Sequence, residues 1–169
     1  MIRHTQLILA DPERNDGHDR DGNAGDCLRA AVASILDIVD PTSVPNFADA
    51  GGDYRWWRML REWARSLGLD VVSVAPEFPV RYEGNHIAYA IGSGPSPRGP
   101  WPHSVVVDIE TGEIVWDPHP SRAGLNGPIS SIDCIVSPYA PEPDEQIMQW
   151  REAGSRSSTH SSSRRTDNR

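Results

Sequence analysis

At 169 residues, with a net charge of −8, an apolar fraction of 37% and a mean hydropathy of −0.52, the chain is sized for one domain with a real core. No apolar run approaches the ~20 residues of a membrane span, and the acidic balance argues against a nucleic-acid surface, which needs concentrated positive charge. All 16 basic residues are arginine, so Schiff-base and lysine-nucleophile chemistry is excluded.

The chain opens with an apolar stretch, residues 5–9, expected as a short strand and too short for the core of a secretory signal, so a cytoplasmic protein is expected. An acidic lead-in fills the rest of residues 1–22. Asp19, Asp21 and Asn23 fall at calcium-loop spacing, but Ala24 stands where such a loop needs glycine, and calcium is set aside.

Gly25-Asp26-Cys27-Leu28 then leads into a helix, with Asp26 as N-cap and Cys27 in the first turn. Leu28, Val32, Ile35 and Leu36 recur at helical spacing and form one core-facing stripe. A thiol in a first turn feels the unpaired N–H groups and the positive end of the helix dipole, both of which favour the nucleophilic thiolate.

After a Pro-rich connector at residues 40–47, Asp53 is placed as the cap of a second helix over residues 54–67, ended by Gly68. Its stripe is Trp56, Met59, Leu60, Trp63 and Leu67, read as core; Trp57 falls off the stripe and is the tryptophan expected to line a groove.

The period then becomes extended. Strands are expected over residues 69–74, 86–92, 104–108, 113–116 and 132–137, with a hairpin turn at residues 109–112. Helices followed by a run of strands predict an α+β fold, an antiparallel sheet packed on the cysteine helix. The domain spans 23–140, followed by a short helix over 141–153 and a disordered Ser/Arg tail over 154–169. Two cysteines in a chain of this length are read as reduced thiols, with Cys134 a small buried hydrophobe in the last strand.

His103 opens one strand of the hairpin and Asp117 closes the other. Antiparallel pairing puts a strand's start beside its partner's end, so Asp117 can orient the His103 imidazole and His103 can activate Cys27. An oxyanion hole needs N–H donors beside the nucleophile. The Cys27 amide is one, and Asn23 is the preferred second, with Asp21 and Gln6 behind it. Arg98, in the Gly/Pro-rich loop before His103, could hold a carboxylate or phosphate on a substrate, and His119, Ser121 and Arg122 sit in a loop on the same rim. No cofactor or metal is implied. Zinc sites show local pairs such as C-x-x-C or H-x-x-x-H, and neither occurs here; the zinc-deaminase signature is missing as well.

Together, Gly25-Asp26-Cys27 and its helix, the Val44-Pro45-Asn46-Phe47 connector, the Trp-rich helix ending Leu67-Gly68-Leu69, Ser93-Gly94-Pro95-Ser96-Pro97-Arg98-Gly99 and Asp117-Pro118-His119-Pro120-Ser121 resemble small phage and prophage proteins with a papain-like fold. More distantly, the order of Cys, His and Asp is similar to that of the double-glycine peptidases that trim bacteriocin leaders. The resemblance covers roughly residues 23–125. It implies a cysteine peptidase or amidase with Cys27 as nucleophile, His103 as base and Asp117 as orienter. The sequence departs from those peptidases where they carry an oxyanion glutamine shortly before the cysteine, a place held here by Asp21. Two alternatives stand beside hydrolysis: a papain-like binding module without turnover, and transfer of an acyl group to an amine by the same triad. The expected partner is a peptide, protein or small amide.

Overall fold

The computed structural model describes residues 1–10, 25–51, 54–76 and 88–137. The expectations for Asp21, Asn23, Asp53, the opening of the strand at His86, the helix over 141–153 and the tail over 154–169 lie outside the described residues.

The fold is α+β. Helix α1 (Cys27–Ile35) and helix α2 (Arg55–Ser66) precede strands β1 (Asp70–Val74), β2 (Tyr89–Pro95), β3 (Pro102–Asp108), β4 (Ile114–Trp116) and β5 (Ser131–Val136). The strands form one sheet in the order β1-β5-β2-β3-β4, every pairing antiparallel. The expected hairpin is present: Val106 pairs with Trp116 and Val107 with Ile114, with a bulge between. Asp108 Oδ1 accepts the amides of Glu110 and Thr111 at 2.9 and 3.0 Å, an Asx turn that reverses the chain.

Both helices lie on one face of the sheet. Val32, Ile35, Leu60 and Ala64 meet Val71, Ile91, Val106 and Ile135 there, with Phe47 from a 3-10 turn (Phe47–Ala50) filling the join. The opposite face carries Ala90, Val105, Val107, Cys134 and Val136 under Leu125 and Ile129. Alternate strand residues therefore serve two cores, which is why the strands read as nearly continuous apolar runs.

Three local expectations change. Helix α1 is buried almost all round, through Ala30, Ala31, Val32, Ala33, Ser34 and Ile35, rather than along a stripe, because small residues let it approach the sheet closely. Leu67 is 52% exposed; it is the C-cap of α2 rather than part of its core stripe. The Leu69 amide bonds to the Ala64 carbonyl and the Gly68 amide to that of Arg65, with Gly68 at φ 75°, so α2 ends in the Schellman motif its glycine predicts. Finally, residues 5–9 form no strand. The segment is used as a strap instead: the Gln6 amide bonds to the Pro118 carbonyl at 2.9 Å, and the Asp26 amide to the Ile8 carbonyl at 3.1 Å.

Candidate active site

Asp26 precedes α1 as expected, but its carboxylate does not cap the helix. It turns outward from the helix axis to the strap. Oδ1 accepts the Ile8 amide at 2.8 Å, Oδ2 accepts the Leu7 amide at 3.3 Å, and Arg29 closes a charge-assisted bond from the next turn. This 1% exposed carboxylate joins the helix start to the strap. The first turn of α1 has N–H groups without intrahelical partners, which Asp26 does not cap, and Cys27 sits among them.

Cys27 is partly buried. Burial pushes its thiol up, but hydrogen bonds from the His103 ring and from the amide and hydroxyl of Ser104, with the His103 charge, outweigh that and hold it below its ordinary value. His103 is 4% exposed, and its Nε2 bonds Asp117 Oδ1 at 2.7 Å. An imidazole has two nitrogens, so Nδ1 is the one left for the thiol. Burial alone would lower the His103 pKa; the bonds to Asp117 and Cys27 and their charges raise it to about 9. Burial would raise the Asp117 carboxyl, but His103 and the amides of His119 and Gly124 bring it down to about 2. The Cys27 thiol, the His103 imidazole and the Asp117 carboxylate thus form one continuous chain.

A cavity of about 710 Å³ opens over this chain. Cys27, His103, Ser104, Arg98 and His119 are in its wall, and so is Gln6. Gln6 is 7% exposed; its Nε2 donates to the Ile8 carbonyl at 2.8 Å, and among the described residues its second amide hydrogen and its buried Oε1 have no partner. Gly25 makes this approach possible: a Cβ there would stand 2.8 Å from Gln6 Nε2 and 2.9 Å from the Ala10 amide. Sequence reasoning ranked Gln6 behind Asn23 because 20 residues separate it from Cys27. The available signal is a side-chain amide placed directly before the apolar run Leu7-Ile8-Leu9-Ala10.

The remaining candidates divide. His119 lies in the wall with its ring edge-on to His103 at 6.3 Å, its Nδ1 bonded to the hydroxyl and amide of Ser121. Arg122 is not in the wall. It stacks 3.8 Å over Trp116 and donates to the carbonyls of Asp117 and His119 and to Thr5 Oγ1, so it fastens the Asp117 loop to the strap. Trp57 is not in the wall either; the tryptophans there are Trp56 and Trp101. The Trp57 indole bonds to the buried Asp133, and Arg61 stacks 4.7 Å from its ring. Cys134 is fully buried, as expected of a structural thiol, and burial pushes it up to about 11. Among the described residues, no group of three or more His, Cys, Asp or Glu side chains is arranged to hold a metal ion, and no helix is long and apolar enough to cross a membrane.

Comparison with family models, curated proteins and solved structures returned no match.

Proposed function

We propose that this protein is a papain-like cysteine hydrolase of the peptidase or amidase type. The observation that carries the reading is the buried Cys27–His103–Asp117 chain at the wall of an open cavity. The size of that cavity suits a peptide segment or small amide. The papain-like assignment rests on the placement of the nucleophile: a cysteine at the start of a helix packed on an antiparallel sheet whose neighbouring strands supply the base and its orienter.

In this reading the Cys27 thiolate attacks the carbonyl carbon of the substrate amide, and the C=O π pair moves to oxygen. The oxyanion is met by the Cys27 amide and the uncommitted N–H of Gln6 Nε2. When the tetrahedral intermediate collapses, the C–N bond breaks and the imidazolium of His103 gives its proton to the leaving amine. A thioester remains on Cys27. Water then attacks it while His103 takes the water's proton; the thiolate departs and a carboxylic acid is released. Asp117 keeps the ring oriented and its positive charge matched throughout. Gln6 brings a side-chain amide to the cavity wall although Asp21 holds the place of the peptidases' glutamine, which favours turnover over a binding module without catalysis. An amine entering in place of water would give transfer by the same steps.

The test is alkylation of the full chain by iodoacetamide at pH 7, followed at the Cys27 peptide by mass spectrometry. Cys27 is expected to react at least about tenfold faster than a free thiol, because more of it is thiolate. His103→Ala should remove that advantage. A Cys27 no more reactive than a free thiol overturns the reading.

A further inference from the structure

The wall of the cavity beside Cys27 carries a guanidinium that the described residues answer only in part. Arg98 lies in its wall, and among the described residues the buried Nη2 of its guanidinium has no hydrogen-bond partner. Nη1 reaches the neutral Ser121 hydroxyl at 3.2 Å and stands 3.9 Å from Asp117 Oδ2. That carboxylate is already committed: Oδ1 to His103 at 2.7 Å and the His119 amide at 2.8 Å, Oδ2 to the Gly124 amide at 2.8 Å. Neighbouring His119 offers no counter-charge, and burial together with the Arg98 charge lowers its pKa. No aspartate or glutamate is among the described residues that line the cavity, although the chain as a whole carries −8. The apolar surfaces of Trp101 and Pro102 in the same wall reduce screening around the guanidinium.

A buried guanidinium N–H without an acceptor is costly, and a planar two-oxygen anion is the group that satisfies it best. A phosphate dianion calls for more donors than one guanidinium supplies. The geometry points to Arg98 as the anchor for a carboxylate on the substrate, so that Cys27 acts on an amide bond lying close to a carboxylate in the same molecule. This rests on the thiol-hydrolase reading above. The carboxylate has two natural sources, a free peptide C-terminus or an acidic side chain, and both present the same chemistry to Arg98.

The experiment measures how well peptides protect Cys27 of the full chain from iodoacetamide, each protein normalised to its own unprotected rate. The protectants are acetyl-Gly-Gly-Gly with a free C-terminus, the same peptide as its C-terminal amide, acetyl-Gly-Glu-Gly-amide, and inorganic phosphate. At least one carboxylate peptide should protect at about tenfold lower concentration than the neutral amide peptide, and Arg98→Gln should erase that ratio. The better of the two carboxylate peptides then assigns the source. Arg98→Lys keeps the charge and should retain part of the preference, which guards against misfolding of the glutamine variant. Equal protection by the neutral peptide, stronger protection by phosphate, or an Arg98→Gln variant that slows alkylation while keeping the ratio overturns the inference; the last would make Arg98 a positioning residue for Asp117. Ordinary thiol reactivity at Cys27 would defeat the hydrolase reading while leaving the protection ratio readable.

Discussion

At Cys27 burial and hydrogen bonding pull in opposite directions, and His103 with Ser104 decides the outcome in favour of thiolate. The pH dependence follows from that contest. The proposed hydrolysis would need the Cys27 thiolate and the His103 imidazolium together, so its rate should fall on the acid side as the thiolate is protonated. It should fall again as pH rises through about 9, where His103 loses its proton. Alkylation by iodoacetamide needs only the thiolate and should keep its rate above pH 9. Measuring both across pH 5–11 separates the two limbs, and a matching alkaline fall in alkylation would contradict the assignment to His103. Asp117→Asn removes the charge that holds up the His103 pKa, so the alkaline limb should move down and kcat should drop by about 10²–10⁴-fold. For Gln6→Ala a kcat loss of roughly 10²–10³ with little change in KM is expected, the signature of a group engaged at the oxyanion. A Gln6 variant that changes KM alone would place the residue in substrate binding.

At the scale of elements, the site depends on how the strap at residues 5–9 meets the start of α1. Asp26 holds the Leu7 and Ile8 amides and pairs with Arg29, and Gln6 is fastened to the loop after Asp117. Asp26→Ala strands a largely buried guanidinium and two amides, so a stability loss of about 3–5 kcal/mol is expected by denaturant unfolding. Gly25→Ala is a subtler probe of the same junction. Its Cβ would push on the Gln6 amide and the strap backbone, so activity should fall more than stability does. At the other helix, Arg61 and Arg65 converge on Asp70 and tie the end of α2 to β1, holding that carboxyl well below the usual range.

For the molecule as a whole, the same ionisations link stability to pH. Asp117 has its pKa depressed from 3.8 to about 2, so its contribution is present above 3.8 and lost as pH falls through about 2. His103 is raised from 6.5 to about 9; its contribution is full below 6.5 and lost as pH rises through about 9. Asp133 runs the other way. It is 1% exposed between the sheet and α2, burial raises its pKa, and its Oδ1 has no partner. Besides the Trp57 indole, the Ser73 side chain hydrogen-bonds this carboxyl; Asp133→Asn keeps one acceptor oxygen for both without a buried charge, so it should raise Tm by a few degrees at pH 7 and by less at pH 4. An equal or lower Tm at pH 7 would show that the carboxylate is paid back by contacts an amide cannot make.

The features legible in the residues alone are local in their physics. The helix start at Cys27, the end of α2 at Gly68 and the turn at Asp108–Gly112 each depend on a few adjacent residues, and antiparallel pairing across that turn was enough to bring Asp117 to His103. The tertiary structure alone decided the rest. Trp56 and Trp57 are neighbours on α2, yet one faces the cavity and the other a buried carboxylate, because the sheet beneath α2 sets which flank is wet. Arg122 belonged to the right loop and fastens it without entering the cavity. Gln6 joins Cys27 in one cavity wall across 20 residues because Asp26 binds the strap to the helix start, a contact between segments whose patterns are unrelated. Side-chain periodicity records which face of an element is buried, but not which distant backbone amides a buried carboxylate will gather beside it.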